Sequence, residues 1–317
     1  MPENQPSAIS QKGLSVLITG GNGLIGKHLT SSLLSAGYAV SHLSRKISRI
    51  ENVRVFLWDP GKRMIDSDSI TGIDFIINLA GENIGAKRWT MDRKKEILES
   101  RADSVRFLYQ TVSERGIQLK AFISASAAGI YGTETPEKIF SENDPPANDF
   151  LGNVCKQWEE AADLFAGSGI RTVKIRTGVV LEKNDSALSK LMKPGKFGFL
   201  VQTGTGLQYM PWIHITDLCN IYLKAIEDTN MFGAYNAVAP RHVTHKDFMR
   251  VLAHVMNVPV LAVPVPAFVL RAVFGEMSVV ILKGSRVSCD KITAEGYKFL
   301  FDNPEAALKN VILSQNF

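Results

Sequence analysis

A glycine-rich turn near the amino terminus constrains this chain more than any other segment. The apolar run 16–18 leads directly into Gly20, Gly23 and Gly26, and a helical pattern of leucines follows. Glycine lacks a Cβ and tolerates positive φ, so the turn lets a ligand or another backbone segment approach closely. A helix that starts here directs its free N–H groups and its positive dipole end towards the turn. The sequence therefore predicts a strand, a phosphate-binding turn and a helix.

The segments around the turn indicate a dinucleotide site. The glycine spacing is G-x-x-G-x-x-G, which differs from the G-x-G-x-x-G fingerprint. An apolar pattern at 39–43 follows the helical pattern, however, so the segment has the order of a β-α-β unit. The alternative is a tight strand-to-helix turn in an α/β domain that binds nothing. We predict that the pyrophosphate contacts Gly20, Gly21, Asn22, Gly23, Leu24, Ile25 and Gly26.

Strand and helix patterns alternate through the first half of the chain, as in β-α-β units. We therefore predict an α/β fold with a Rossmann-type, doubly wound parallel sheet. The strand candidates are 14–19, 39–43, 53–57, 74–79, 120–125 and 171–176, and helical patterns lie at 24–36, 91–115 and 153–166.

Glycines and prolines become denser after residue 180, which indicates a change of architecture. We predict a smaller C-terminal α+β domain that binds the substrate, with some segments returning to the first domain. The Rossmann-type domain is assigned to 13–183 and about 212–240, and the smaller domain to 184–211 and 241–317. Helical patterns in this part lie at 216–228, 245–256, 264–283 and 304–314.

The loop after the second strand candidate favours NADP over NAD. NAD sites usually carry an acidic residue here, and this chain has Ser44, Arg45 and Lys46 instead. Ser44 can hydrogen-bond a 2′-phosphate, and Arg45 can pair with it through charge-assisted bonds. The alternative is that Arg45 and Lys46 belong to a solvated loop. We predict NADP as the cofactor, with Ser44, Arg45 and Lys46 at its 2′-phosphate.

Further cofactor contacts are expected at the carboxyl ends of the other strands, where ligands of such sheets bind. Small residues after the strand candidate 74–79 would let a ribose or a flat ring lie against the backbone, although tight packing would select them equally. Arg101 could contact phosphates or an anionic substrate, with a salt bridge along its own helix as the alternative. These predicted contacts are Asn78, Leu79, Ala80, Gly81, Arg101, Ser124, Thr177, Val179 and Val180.

Composition and charge argue against several other classes of protein. The net charge is +5 and there is no run of five like charges, so nucleic acid is not expected as a partner. The apolar stretch 258–282 is interrupted by prolines and charges, which argues against a membrane span. Three widely spaced cysteines and a polar, signal-free start indicate a reducing compartment, and we expect a cytoplasmic protein without a metal site.

Taken together, these pieces resemble the extended short-chain dehydrogenase/reductases, and more closely the atypical epimerase-like family among them. The resemblance covers about 13–314 and implies a Rossmann-type domain followed by a C-terminal domain of uncharacterised role. The matching pieces include Thr19-Gly-Gly-Asn-Gly-Leu-Ile-Gly26, Leu43-Ser-Arg-Lys46, Asn78-Leu-Ala-Gly-Glu-Asn-Ile84, Ser100-Arg101, Trp158-Glu159, Arg176-Thr-Gly-Val-Val180, Pro211-Trp-Ile-His-Ile215 and Gly275-Glu276.

The resemblance also implies hydride transfer assisted by a Tyr-x-x-x-Lys pair on one helix and a nearby serine. Lys156 matches the lysine and would also bind the nicotinamide ribose, but Gly152 stands four residues earlier, where the tyrosine belongs. Ser126 matches the serine, with Ala127 as the alternative register. Tyr131 is the nearest phenol at a strand end and could substitute for the missing tyrosine. The predicted catalytic residues are therefore Ser126, Tyr131 and Lys156.

Two other polar segments leave alternatives open. Glu82 and Asn83 could face the substrate or cap a helix. For His214, followed by Thr216 and Asp217, a helix N-cap is the expected role.

Two functions follow from the sequence. The first is an NADP-binding oxidoreductase or epimerase-like enzyme acting on an unidentified small molecule. The second is a dinucleotide-binding sensor or interaction protein with little or no catalysis, which the glycine at position 152 favours. The helical patterns 91–115 and 153–166 could form a four-helix contact in a homodimer, as is common in the superfamily.

Overall fold

A computed structural model of the chain describes residues 13–132 and 134–313. The strands are β1 (Ser15–Thr19), β2 (Ala39–Ser44), β3 (Val53–Asp59), β4 (Met64–Ile65), β5 (Phe75–Asn78), β6 (Ala121–Ala127), β7 (Glu134–Phe140), β8 (Thr172–Thr177), β9 (Val179–Leu181), β10 (Leu200–Thr203), β11 (Trp212–His214), β12 (Gly233–Ala237), β13 (Val260–Val265) and β14 (Gly284–Val287). The centre of the fold is a sheet in the order β12-β8-β6-β5-β1-β2-β3-β4, in which all strands are parallel except β4 at one edge.

Helices cover both faces of this sheet. The helices are α1 (Leu24–Ser35), α2 (Met91–Glu99), α3 (Ala102–Glu114), α4 (Phe150–Gly167), α5 (Ala187–Met192), α6 (Ile215–Glu227), α7 (His245–Met256), α8 (Ala267–Phe274), α9 (Val279–Leu282), α10 (Asp290–Ala294) and α11 (Pro304–Leu313). Because successive strand residues point to opposite faces, Val16 and Ile18 pack with α1 and α6, whereas Leu17 packs with α3 and α4.

The strand order reverses at β1. This strand pairs with β2 on one side and β5 on the other, so that Thr19 lies opposite both Leu43 and Asn78. In open α/β sheets, ligands bind at such a reversal, beyond the carboxyl ends of the strands. The topology confirms the predicted Rossmann-type doubly wound sheet and places the glycine turn at its ligand-binding edge.

Two long helical patterns are each interrupted in the structure. The predicted helix 91–115 is divided into α2 and α3 at Ser100 and Arg101, whose side chains bind the turn after β5. The predicted helix 264–283 breaks at Gly275, which has a φ of +61°. No helix within the described ranges has the length and apolar composition needed to cross a membrane.

A separate apolar core lies in the C-terminal part. It joins Leu181, Leu200 and Trp212 to Phe248 and Leu308. By contrast, β12 extends the large sheet and α6 packs on it. Residues 314–317, at the end of the predicted second domain, lie outside the described residues, and the domain division itself stays a prediction.

Candidate functional site

The glycine turn after β1 is packed so closely that larger residues cannot occupy it. Gly20 has a φ of +72°, and a Cβ there would lie 2.9 Å from the carbonyl carbon of Leu79. A Cβ on Gly21 would lie 2.4 Å from the His42 ring, and one on Gly26 would lie 2.6 Å from the Gly20 carbonyl oxygen. The glycines therefore bring three backbone segments together at the carboxyl edge of the sheet.

The amino terminus of α1 opens onto this turn. Gly23 is the N-cap residue and supplies no side-chain hydrogen bond, and the first helical hydrogen bond runs from the Lys27 N–H to the Gly23 carbonyl. The N–H groups of Leu24, Ile25 and Gly26 precede that bond and have no partner within the regular helix pattern. Such groups, with the positive end of the helix dipole, form an anion-binding surface.

Hydrogen bonds between buried polar side chains join the neighbouring strands β1, β5 and β6. Thr19 Oγ1 donates to Asn78 Oδ1 at 2.7 Å and accepts from the N–H groups of Leu79 and Ala80, each at 3.2 Å. Asn78 Nδ2 in turn donates to Ser124 Oγ at 3.3 Å. Asn78 and Ser124 are buried and shape the floor of the site through these bonds, and their direct contact with a cofactor stays a prediction.

The residues predicted for the 2′-phosphate lie together at one side of the turn. Asn22 Nδ2 donates to Ser44 Oγ at 3.4 Å, and the Lys46 N–H donates to the same hydroxyl at 3.3 Å. The Arg45 side chain is 72% exposed, and its Nη2 lies 3.2 Å from Glu82 Oε1. The role of Glu82, which was open from the sequence, is that of ionic partner of Arg45.

Arg101 has a role that neither sequence alternative foresaw. Its Nη2 donates to the Glu82 carbonyl at 3.0 Å, its Nη1 donates to the Ile97 carbonyl at 3.1 Å, and its guanidinium lies over the Trp158 ring. Burial lowers the pKa of this guanidinium. Through these contacts Arg101 holds the turn around Gly81, and its predicted contact with phosphate stays a prediction.

Ser126 and Tyr131 belong to a buried polar network. Ser126 Oγ donates to Glu159 at 2.6 Å, and Arg176 binds both oxygens of the same carboxylate at 2.8 and 2.9 Å. The Tyr131 hydroxyl accepts from Arg176 at 2.8 Å and donates to Asn236 at 2.6 Å. Desolvation raises the pKa of Tyr131 to about 12 despite the nearby arginine. Both residues are buried and hold β6, β8 and α4 together, and their role in proton transfer stays a prediction.

The helix α4 differs from the predicted catalytic arrangement in its register. Residues four apart lie on one face of a helix, and the pair against Gly129, just beyond β6, is Leu151 and Cys155. Lys156 is instead 56% exposed, and its Nζ lies 3.9 Å from Glu160 on the same helix. The assignment of Lys156 to catalysis and ribose binding therefore stays a prediction without a supporting contact.

Gly152 is enforced by packing. A Cβ at this position would lie 2.2 Å from the Ala147 carbonyl oxygen, and one on Gly132 would lie 2.5 Å from Ala147 Cβ. Ala147 thus lies between the two glycines, and its backbone fills the space next to the helix. A tyrosine at position 152 could be accommodated only if the loop before α4 moved.

The predicted nicotinamide-side residues lie where β8 ends. Thr177 Oγ1 donates to the Ile175 carbonyl at 3.3 Å. Val179 and Val180 lie half-buried on β9, opposite Trp212 and Ile213 of β11. The three residues are thus at the expected edge of the sheet, and their contact with a cofactor stays a prediction.

His214 has the expected capping role. It is the N-cap residue of α6, and its Nδ1 accepts from the Thr216 N–H at 3.1 Å. Asp217 has another function, since its buried carboxylate accepts from the Tyr297 hydroxyl at 2.8 Å and from the N–H groups of Leu300 and Phe301.

A cavity of about 320 Å³ lies in the C-terminal part, lined by residues between 271 and 283. The segment is tied to the Rossmann-type half, because Lys94 Nζ binds Glu276 Oε1 at 2.6 Å and Arg88 donates to the Ala272 carbonyl. Val279 of the cavity wall also belongs to a small apolar cluster with Leu151 and Trp89. The cavity is thus linked by packing to the α4 face beside Gly129.

Several polar and charged residues that organise this site were not foreseen from the sequence. Arg93, Glu159, Arg176 and Asn236 form its buried polar contacts, and none of them received a role. Glu159 and Arg176 stood within pieces that carried the family resemblance, which was the one available signal. Their pairing depends on α4 lying against β8.

Comparison with known proteins agrees with this fold. Residues 16–238 match the NAD dependent epimerase/dehydratase family, and residues 265–311 match a domain of unknown function, DUF1731. The chain belongs to the NAD dependent epimerase/dehydratase family, which confirms the family predicted from its motifs.

Individual relatives extend over nearly the whole chain. The epimerase family protein SDR39U1 of Mus musculus is 35% identical over 306 residues, which cover 94% of this chain and 100% of the relative. The epimerase family protein YfhF of Bacillus subtilis is also 35% identical, over 94% of this chain and 98% of its own length. The crystal structure of human SDR39U1 with NADPH matches with a TM-score of 0.85 and 30% identity, over 95% of this chain and 100% of that one.

Proposed function

We propose that this chain binds NADP(H) along the carboxyl edge of its large sheet. The observation that carries the proposal is the glycine turn, where Cβ atoms at Gly20, Gly21 and Gly26 would collide and the N-terminus of α1 has no side-chain cap. Polar and cationic groups suited to a 2′-phosphate lie beside it at Asn22, Ser44 and Arg45. The human relative solved with NADPH supports the same cofactor.

In this proposal, each part of the cofactor has its own group of residues. The N–H groups of 24–26 hold the pyrophosphate, and Ser44, Arg45 and Lys46 hold the 2′-phosphate. The backbone of 79–81 lies beneath the ribose, and Thr177, Val179 and Val180 lie towards the nicotinamide. The bound nicotinamide would supply hydride transfer.

We further propose that the chain is an oxidoreductase or epimerase-like enzyme for a small molecule, with an atypical site. The face of α4 beside Gly129 carries Leu151 and Cys155, and burial raises the pKa of the Cys155 thiol to about 12. Neither side chain can donate a proton readily at neutral pH. The substrate domain is proposed to be the C-terminal part, with the cavity at 271–283 next to this face.

The same observation favours a second candidate, an NADP(H)-binding sensor or interaction protein. A panel of carbonyl compounds and nucleotide sugars, incubated with the protein and NADPH, separates the two. Consumption of NADPH or conversion of a sugar supports the enzyme. Binding of NADPH without turnover of any compound supports the sensor.

Titration with NADPH and NADH tests the cofactor assignment. We expect Arg45→Ala to weaken NADPH binding by about 10- to 100-fold, since a charge-assisted hydrogen bond contributes about 1.5–3 kcal/mol. NADH binding should change by no more than about twofold, because NADH has no 2′-phosphate. Arg49→Ala, which removes another exposed arginine of the same loop, is the matched control. Equal losses for both dinucleotides would refute the 2′-phosphate assignment.

We propose a cytoplasmic location for this protein. Cys155, Cys219 and Cys289 are free and buried, as expected in a reducing compartment. Fractionation of the source cells tests the proposal, and recovery of the protein mainly in an oxidising compartment would contradict it.

A further inference from the structure

An ion pair crosses the end of the strand that leads into the glycine turn. Arg45 follows β2 and Glu82 lies beyond β5, and β1 lies between these two strands in the sheet. The contact of 3.2 Å between Arg45 Nη2 and Glu82 Oε1 therefore joins the two sides of the proposed dinucleotide cleft.

Glu82 is the fixed member of this pair. Its N–H donates to Ser100 Oγ and its carbonyl accepts from Arg101, both at 3.0 Å. Its second carboxylate oxygen lies 3.2 Å from Nη1 of Arg93, whose side chain is only 7% exposed. The Arg45 side chain, in contrast, is 72% exposed and extends from a loop. A ligand can therefore move Arg45 at little cost, whereas Glu82 stays in place.

Glu82 also stays charged. Partial burial opposes its ionisation, but the hydrogen bond from Arg93 and the charges of Arg45 and Arg93 together lower the pKa of the carboxyl. When Arg45 turns to another anion, Glu82 keeps Arg93 as a partner and remains a negative charge beside the cleft.

We propose that Glu82 is a specificity-determining residue whose carboxylate occupies, on Arg45, the place that the 2′-phosphate of NADP(H) takes on binding. This inference rests on the proposed function. The phosphate must displace Glu82 from Arg45 and then lie near its charge, so Glu82 weakens NADPH binding in particular. The 2′-hydroxyl of the NADH ribose is neutral, so it does not have to displace Glu82 from Arg45 and is not repelled by the Glu82 charge. Glu82 thus reduces the preference for NADPH over NADH that Arg45 creates.

The substitution Glu82→Gln tests this inference by dinucleotide titration. It removes the charge but keeps a side chain of the same length. At low ionic strength we expect NADPH to bind about three- to tenfold more tightly, with NADH changed by less than about twofold. The gain should shrink at high salt, because exposed charges are screened.

Two controls isolate the contact with Arg45. Glu96 also pairs with Arg93, at 2.8 Å, and lies outside the contact with Arg45, so Glu96→Gln should leave NADPH affinity within about twofold of the wild type. In the Arg45→Ala background, Glu82→Gln should give a smaller gain, because only the repulsion between the Glu82 charge and the phosphate remains to be relieved. Thermal unfolding verifies that each variant is folded, and Glu82→Asn replaces Glu82→Gln if the latter is not.

Several results would overturn the inference. They are weaker NADPH binding by Glu82→Gln, an equal change for NADPH and NADH, or a gain that is undiminished without Arg45. Failure of the proposed function has a different signature, namely a wild-type protein that binds neither dinucleotide or an Arg45→Ala variant that loses both equally.

Discussion

At the scale of single residues, the glycines of the turn show how a missing Cβ creates a binding site. Gly20 needs both a positive φ and the space that a side chain would take, because Leu79 packs against it. The periodicity of glycines after an apolar run predicted this turn correctly. What the sequence could not indicate was which backbone fills the space, since Leu79 follows β5, about 60 residues further along the chain.

A second glycine distinguishes the requirement for a positive φ from the requirement for space. Gly20 and Gly37 both have positive φ, of +72° and +89°, but a Cβ on Gly37 would meet nothing within 4 Å. We expect Gly37→Ala to lower the free energy of unfolding by about 1–2 kcal/mol, from backbone strain. Gly20→Ala should lose about 1–3 kcal/mol more through overpacking, and should also lose NADPH binding. Denaturant unfolding and NADPH titration provide the measurements, and equal losses of stability would contradict the role of Leu79.

At the scale of elements, α4 and β8 are joined by two ion pairs in very different surroundings. Arg176 and Glu159 are both less than 10% exposed and also bind Ser126 and Tyr131. Lys174 binds Asp163 at 2.7 Å, but Asp163 is 50% exposed. The sequence predicted both elements, whereas the pairing followed from their packing. The sequence therefore did not reveal that Ser126 and Tyr131 bind this ion pair.

The two pairs supply a test and its control. Glu159→Gln leaves the Arg176 charge buried with a weaker partner, and we expect a loss of about 3–5 kcal/mol in the free energy of unfolding. Asp163→Asn, on the same helix and facing the same strand, should cost less than about 1 kcal/mol because that pair reaches solvent. Urea unfolding measures both variants. A small loss in both would show that the buried network is not important for stability.

At the scale of the whole molecule, three buried histidines couple stability to pH. His42 lies on β2, His214 caps α6, and His245 begins α7, so the three residues belong to separate parts of the fold. Burial lowers the pKa of each imidazole to about 4. An unfolded histidine has a pKa of about 6.5. The unfolded chain therefore binds more protons than the folded one between these two values.

Stability should consequently fall as the pH decreases from about 6.5 towards 4. Each buried imidazole contributes up to about 1.4 kcal/mol per pH unit in this window, and the contribution is fully present above it. His214→Asn keeps an N-cap acceptor but removes one titrating group, so the slope should decrease by about a third. Urea unfolding at several pH values checks this. A slope that His214→Asn leaves unchanged would show that other groups control the acid transition.

The order of elements, the glycine turn and the loop at Ser44 and Arg45 were determined by the sequence itself, because each depends on a short window of apolar period, chain flexibility or charge. The tertiary structure alone decided which polar groups contact one another. Glu82 binds Arg45, Arg176 and Glu159 engage Tyr131 and Ser126, and the Ala147 backbone excludes a side chain at position 152. The physical reason is that a hydrogen bond or an ion pair requires contact, and residues far apart in the chain come into contact only through strand order and helix packing.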